Sequence, residues 1–580
     1  MEENIYDFLG LTPKDGEAKV KEELEAQIKK WTNQLTCQTA RAKAKLEVLK
    51  RFKVELGTNL NMLKEHADNK SDELLKQKQL KEEVIFNQSD VSKPTKIFGI
   101  DFGTTYSSIA FVDEYGKPVT VPNQENSPVT PSVVFFETGG SVSVGDVAKQ
   151  ALESAPDLVC SAIKRQMGNA DFVINVNGTD YRPEAVSSLI LAKLAKDASE
   201  KLGEEVKDVV ITYPVYFGPE EKVAITNAAK IAGLNVVNTI PEPIAAAYSY
   251  GLLDNDAPKT VLIYDLGGAS FDVTIVKTVN AQAKIIATDG DHNLGGKDWD
   301  AEIQKYAIDQ YVQQTGGSAD DIYDDIVALG DLELKSEQAK MWLTQCDKAS
   351  FRLNGAKIEI SVDQFENITE SLLQSSIYKT RDTMNIAATK GVTHYDKILL
   401  VGGSTLMPQV KKRLEQEFAG TPIESCDPNE SVARGAAIYG KQMLHSDDSI
   451  APFVQPVLNK GIALSTIHDK NNFILHNVFV KNTPLPCAKI IHTKTVREFQ
   501  NTICLGIYDH DYIHTSSDMI ADMRFLTSKT IQLSKPLPIS SPIDILVQVN
   551  EEGLLADINI VDVLNDDIII VKLELDSILY

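Results

Sequence analysis

The sequence predicts a multidomain protein with an α/β body over residues 96–447, a helical hairpin ahead of it and a β-sandwich behind it. Three observations predict this. Strand-like and helix-like segments alternate from 96 to 447. Two apolar strands in that stretch each end in an aspartate and a glycine turn that runs straight into another strand. Beyond 457 the pattern becomes β, and the last strand sets Ile569, Val571, Leu573 and Leu575 against Lys572 and Glu574, a sheet with one wet face.

The totals leave room for several cores in 580 residues. A formal net charge of −24 gives no electrostatic footprint for nucleic acid. No apolar run is long enough to span a bilayer, and the start, MEENIYDFLG, lacks the basic region of a secretory signal. The six cysteines, Cys37, Cys160, Cys346, Cys426, Cys487 and Cys504, are scattered without a C-x-x-C pair. Neither a zinc site nor a disulfide framework is indicated, and a reduced, cytoplasmic location fits.

Along the chain, residues 1–65 read as helical. Val20, Leu24, Ile28, Trp31 and Leu35 recur at helical spacing, as do Leu46, Leu49, Phe52, Leu56, Leu60 and Leu63. Two antiparallel helices would bury those stripes. Residues 66–95 are charged and end in a linker, NQSDVSKPT. Val209–Tyr216 is a strand interrupted by Pro214, and Glu220–Ala232 a helix rich in Ala and Lys. Glu242 lies between two prolines where a small-residue helix begins, which places its carboxylate at a rigid corner. Residues 448–456 carry Pro452 and Pro456 and read as an interdomain linker, and 457–580 as the β-sandwich.

The chemistry gathers in glycine loops. In KIFGIDFGTTYSS, the strand Ile97–Ile100 ends in Asp101 and a turn of Gly103, Thr104 and Thr105. Such a turn can lay backbone N–H groups and two hydroxyls around a phosphate, with Asp101 placed to hold Mg²⁺ through water. Alone it is a weak signal. It recurs in VLIYDLGGASFD, with Asp265, Gly267, Gly268 and Ser270, and a third loop, VGGST, follows the strand Lys397–Leu400. Two matched hairpins could clamp one triphosphate from both sides. The spacing is that of neither a Walker A loop nor a G-x-G-x-x-G fingerprint. His510 and His514, four apart in an acidic strand-like stretch, read as surface polar residues rather than metal ligands.

These residues resemble a family. GIDFGTTYS (99–107), AIKR (162–165), ITYPVYF (211–217), PEPIAAAYSYGL (241–252), YDLGGASFDV (264–273), NLGGKDWD (293–300), LLVGGSTLMP (399–408) and DPNESVARGAA (427–437) are similar to the ATPase domain of the 70-kilodalton heat-shock (DnaK-type) chaperones. The resemblance implies an actin/hexokinase-like α/β fold. VKNTPLP, NTICLGIYDHD and DILVQVNEEGLLADI resemble, more weakly, the family's β-type peptide-binding domain. No counterpart of its helical lid is expected. The start, NIYDFLGL with the hairpin after it, resembles a J-domain, but the His-Pro-Asp tripeptide of that module is missing. A plain docking or dimerisation hairpin remains open there, with an unknown partner.

The resemblance implies ATP/ADP and Mg²⁺ as ligands, with K⁺ a further candidate. Gly103, Thr104, Thr105, Tyr106, Gly267, Gly268 and Ser270 would hold the phosphates. Asp101 and Asp265 would orient a hydrated Mg²⁺, with Glu242 bound to it through water. Lys164 would sit by the γ-phosphate and the attacking water, which Asp272 would help to order. Glu337, Lys340, Thr344, Gly402, Gly403, Ser404 and Asn429 match the ribose and adenine contacts. Met341 and Leu406 stand where the family has arginines, which could weaken base binding by on the order of a kcal/mol per face. Ala269 replaces the third glycine of the second loop. The implied activity is slow ATP hydrolysis coupled to binding of unfolded or extended polypeptide, in protein folding and the stress response. A J-protein or nucleotide-exchange factor would be a further partner; neither nucleic acid nor membrane is expected. The departures leave one alternative, a nucleotide-gated scaffold with negligible turnover. Pro452 and Pro456 lead to the expectation that the linker docks poorly as an edge strand.

Overall fold

The computed structural model describes residues 96–137, 139–176, 178–252, 258–279, 282–425, 427–445, 454–467, 473–511, 523–550, 555–562 and 567–571. The expected hairpin of 1–65, the linker of 66–95, most of the 448–456 segment and the end of the last predicted strand lie outside these residues.

Two sheets form the α/β body. Sheet one contains β1 (Phe98–Asp101), β2 (Tyr106–Val112), β3 (Pro118–Thr120), β4 (Asp208–Tyr213) and β5 (Asn235–Pro241), in the order β5-β4-β1-β2-β3. A short sixth strand, Thr130–Pro131, also pairs with β2. β1 runs parallel to β4 and antiparallel to β2. Helices α1 (Pro183–Leu202), α2 (Pro219–Ile231) and α3 (Glu242–Ser249) follow the strands as the alternating pattern requires. Phe98, Ile100, Ile190, Leu191, Leu194 and Ile211 share one buried cluster, which fixes α1 on the sheet.

Sheet two repeats the plan. It contains β6 (Lys259–Leu266), β7 (Phe271–Val279), β8 (Gln282–Asp291), β9 (Lys397–Val401) and β10 (Ile423–Ser425), in the order β10-β9-β6-β7-β8. β6 is parallel to β9 and antiparallel to β7, as β1 is to β4 and β2. Its helices are α4 (Gly296–Thr315), α5 (Ile326–Trp342), α6 (Val362–Thr389), α7 (Pro408–Glu417) and α8 (Ser431–His445). Trp299, Tyr264, Phe271 and Phe365 are its largest fully buried side chains.

A third apolar cluster joins the two lobes: Ile97, Val210, Ile240 and Ile244 from lobe one meet Ile263, Leu399, Val432 and Ala436. Helix α8 can pass this close to α3 only because residue 435 is glycine. A Cβ there would lie 1.6 Å from the Ala245 carbonyl oxygen.

The segment after α8 joins sheet two at its edge. β11 (Val454–Gln455) pairs in parallel with Ala283 and Lys284 of β8. This corrects the expectation of poor docking. The pairing uses Val454 and Gln455, two of the three residues between Pro452 and Pro456, and both keep their backbone N–H.

The C-terminal part is a β-sandwich. Its strands are β12 (Gly461–Ile467), β13 (Phe473–Phe479), β14 (Cys487–Lys494), β15 (Gln500–His510), β16 (Arg524–Leu537), β17 (Pro542–Val549), β18 (Leu555–Asp562) and β19 (Asp567–Val571). They form two four-stranded sheets, β13-β12-β15-β16 and β14-β17-β18-β19. Leu464, Leu505 and Ile507 of the first pack with Ile543, Ile545, Val547 and Ile560 of the second. His510 is buried, not a surface residue. It is 1% exposed, and its Nε2 lies 3.1 Å from Asn477 Oδ1. Gly461, paired opposite it, leaves the space its ring fills. His514 lies outside the described residues.

Candidate functional site

The recurrent hairpins of the sequence occupy equivalent places in the two sheets. In the first, Asp101 at the end of β1 pairs with Ser108 on β2. In the second, Asp265 on β6 pairs with Asp272 on β7. The first loop is fastened by hydroxyls. The Gly103 N–H donates to Ser107 Oγ at 3.1 Å, and Ser132 Oγ donates to the Gly103 carbonyl at 2.8 Å. The second loop is fastened by backbone. The Gly296 and Lys297 N–H groups, at the start of α4, donate to the Gly267 and Gly268 carbonyls at 3.0 and 2.7 Å. Ser404 Oγ adds a bond of 2.9 Å to the Gly267 carbonyl.

The loops meet. A Cβ on Gly268 would fall 2.1 Å from Thr105 Oγ1, so only glycine permits the approach. That Thr105 hydroxyl is buried and has no hydrogen-bond partner, an orphan suited to a ligand oxygen.

Lys164 reaches the floor of the cleft by an unexpected route. AIKR, which reads as an ordinary helix fragment, is a 3₁₀ turn over Ile163–Gln166 entered through Ala162 at φ 56°. This left-handed residue turns the chain so that Lys164 is 4% exposed and Nζ donates to Glu242 Oε1 at 2.7 Å. Glu242 opens α3, as the prolines on either side of it require.

Around this pair the charge is unbalanced. Burial, then repulsion by Glu242, pushes the Asp101 carboxyl up to about 7, against Lys164 and a 3.1 Å bond from Thr212 Oγ1. Burial, then Glu242 and Asp101, raises Asp265 well above the ordinary carboxylate range. Asp272 is raised likewise, by burial and then by Asp265 and Glu242. Four carboxylates share one buried ammonium, an arrangement that calls for a further cation. Among the described residues no three acidic, His or Cys side chains are arranged to ligate a metal directly. A hydrated Mg²⁺, which keeps several of its waters, fits such a donor set.

The residues that the resemblance assigns to the nucleoside are also brought together from distant parts of the chain. Tyr106 OH donates to Glu337 Oε1 at 2.8 Å, and Lys149 Nζ lies 2.6 Å from both Glu337 Oε2 and Tyr106 OH. Burial works to raise Glu337, but Lys149, Lys340 and the Tyr106 bond hold it below its usual range. Lys340 Nζ donates to Asp300 Oδ2 and to the Gly296 carbonyl, both at 2.8 Å. Asp300 is pushed up to about 6 by burial, against Lys340, and its second oxygen has no partner. Gly403 abuts Asn429, and Gly402 abuts Asp265. Thr344 is not drawn in: its hydroxyl bonds the Met341 carbonyl of its own helix. Met341 and Leu406 are 57% and 50% exposed.

Sequence reasoning missed Lys149, Thr212, Tyr216, Arg165 and Asp300. Arg165 Nη2 donates across the cleft to the Ala269 carbonyl of the second loop. Tyr216 bonds Ser270, and burial, Asp272 and Glu242 raise its hydroxyl well above the ordinary value. Both lie inside motifs already singled out, AIKR and ITYPVYF. That placement was the available signal.

Comparisons with known proteins agree over most of the chain. The family model described as Hsp70 protein matches residues 97–566. The chain is 32% identical over 471 residues to the chaperone protein DnaK of Halobacterium salinarum, in strains R1 and NRC-1. The match spans 79% of this chain and 72% of each relative.

Proposed function

The chain belongs to the Hsp70 family, and from that premise we propose that Lys164, Asp101, Asp265, Glu242 and Asp272 form its ATP-hydrolysing set. It is an ATP-binding, ATP-hydrolysing chaperone of that family, with an actin/hexokinase-like body and a C-terminal β-sandwich. The observation that carries the assignment of residues is the unbalanced cleft: four carboxylates around one buried ammonium, between two equivalent hairpins.

In hydrolysis a water oxygen bonds the γ-phosphorus as the bond to the β–γ bridging oxygen breaks, and the work of the protein is alignment and charge neutralisation. Thr104, Thr105 and Tyr106 from one lobe, and Gly267, Gly268 and Ser270 from the other, would grip the phosphate oxygens. The orphan hydroxyl of Thr105 supplies a donor without breaking an existing bond. Asp101 and Asp265 would hold Mg²⁺ through its waters, with Glu242 behind, and the ion would neutralise the phosphate oxygens. Lys164 would stabilise charge on the γ-phosphoryl group, and Glu242 keeps its ammonium in place. Asp272, held towards its protonated form when alone, would become an acceptor for the attacking water once cations fill the site. K⁺ beside Asp272 is part of this reading.

Glu337, Lys340, Gly402, Gly403, Ser404 and Asn429 would hold the nucleoside, and Thr344 would join them only after leaving the Met341 carbonyl. Residues 96–447 act as the ATPase domain, 448–456 as the linker and 457–580 as the polypeptide-binding domain. A J-protein or exchange factor would time the cycle, and residues 1–65 would recruit a partner of their own. Four free cysteines among the described residues suit a cytoplasmic setting. Among them, too, no helix is long and apolar enough to cross a membrane.

The test is single-turnover hydrolysis of Mg-ATP with bound nucleotide quantified, wild type beside Lys164→Ala. Hydrolysis should fall by roughly 10²–10³-fold while binding persists, the scale of removing one preorganised charge donor. Equal turnover by both proteins would remove Lys164 from the set.

A further inference from the structure

The β-sandwich meets lobe two along the outer edge of β8, and one lysine spans the seam. Ile286 lies in a bulge of β8: Ala287 pairs with Ile275 and Ile285 with Val276, which leaves Ile286 without a residue opposite it on β7. Its carbonyl accepts from Lys390 Nζ at 2.6 Å. The same Nζ donates to the Asn482 carbonyl at 2.9 Å. Lys390 is the cap that ends α6, so it belongs to lobe two. Asn482 belongs to the β13–β14 connection of the sandwich, is 1% exposed and adopts φ 67°. Its side-chain amide pairs with Thr288 like a missing strand, accepting from the Thr288 N–H at 3.1 Å and donating to its carbonyl at 3.2 Å.

We propose that Lys390 is the positioning residue that fastens the sandwich to lobe two by holding one carbonyl from each side of the seam. Among the described residues no carboxylate is ion-paired with it. Its acceptors are two neutral carbonyls, one of them freed by the bulge. Burial against the seam and the nearby Lys284 push its pKa down to about 8, so the ammonium stands here against its own hydration and neighbouring charge. Two directed bonds offset that. The adjacent Lys481–Asp289 pair, at 2.8 Å, is of another kind, because charge attraction holds it and salt weakens it. Lys390 therefore sets the geometry of the seam. The proposal concerns the seam alone and stands apart from the assignment of the nucleotide cleft.

Amide hydrogen exchange on the nucleotide-free full chain tests it. The Thr288 N–H, bonded to the Asn482 side chain across the seam, is the reporter. Asn482→Ala supplies the Thr288 rate of an open seam. Lys390→Met keeps the stem and removes the donors, and the Thr288 N–H should then exchange about tenfold faster or more, the equivalent of 1.4 kcal/mol. Lys390→Arg keeps donors at the same place and should restore protection. An unchanged Met variant overturns the proposal. So does equal acceleration at Ile100 and Ile211, buried deep in sheet one, since that would be general loosening rather than release of a seam.

Discussion

The two sheets of the body share a strand order and a hairpin, yet differ in how the hairpin loop is held. In sheet one the loop is tied by Ser107 and Ser132, hydroxyls of its own lobe. In sheet two it is tied by the start of α4, by Ser404 and, across the cleft, by Arg165. Repetition of the hairpin supplies two matched jaws, which in the proposed site would close on one anionic ligand. The unlike fastenings make one jaw self-contained and leave the other answerable to both lobes. The edges differ too: the outer edge of β8 carries β11 and Asn482, which links the second jaw's sheet to the sandwich.

The comparison breaks first, and most heavily, at the contact between the loops. Gly268→Ala places a methyl group 2.1 Å from Thr105 Oγ1, whereas Gly267→Ala meets nothing closer than 3.4 Å. Overpacking of this kind costs roughly 1–3 kcal/mol. Calorimetric titration with ATP should show a loss of about tenfold or more for Gly268→Ala and little for Gly267→Ala. Similar affinities would mean that the jaws do not need to touch.

The next test sets the mouth of the cleft against its floor. Lys149→Met removes the ammonium that joins Tyr106 of lobe one to Glu337 of lobe two. Stopped-flow release of a fluorescent ATP analogue should quicken by roughly five- to tenfold, the scale of 1–1.4 kcal/mol. An unaltered release rate would locate the gate elsewhere.

The acidity of the floor gives a smaller, pH-dependent effect. Asp101 titrates near 3.8 when unfolded and at about 7 when folded, raised by burial and by Glu242. Between those values the folded chain holds a proton that the unfolded chain has lost. Its contribution therefore lowers stability as pH rises, with the full penalty present above about 7. Urea midpoints of the nucleotide-free protein should fall less between about pH 5 and pH 7.5 in Asp101→Asn than in wild type. A steeper fall in the variant would reverse this account. The smallest change is expected at the proposed base pocket. Met341→Ala and Leu406→Ala remove half-exposed side chains, and each should weaken ATP binding by no more than about threefold.

Much of this site is legible in the sequence because strand–Asp–glycine loops are local patterns, and Glu242 is fixed by its neighbouring prolines. The rest is not local. Lys149 meets Glu337, and Arg165 meets Ala269, across more than a hundred residues, and no short motif encodes such a meeting. Ala162 is hidden for another reason: alanine carries no hint of a left-handed backbone, yet that conformation decides where Lys164 points. His510 looked like surface because its chain neighbours are acidic; its burial depends on Gly461 on the strand beside it. The linker misled because the prolines were read as breaking a strand, when they bracket one of two residues.

The bulge at Ile286 has a consequence for the sheet edge that the sandwich covers. A bare sheet edge is a template on which other extended chains assemble. Without the sandwich and β11, the outer edge of β8 would be bare. The bulge divides the strand into Gln282–Ile285 on one side and Ala287–Asp291 on the other, so the edge offers no continuous straight run to an incoming strand. Lys284 adds a charge that discourages stacking. The irregularity that gives Lys390 its carbonyl thus also blunts that edge as a template for strand addition.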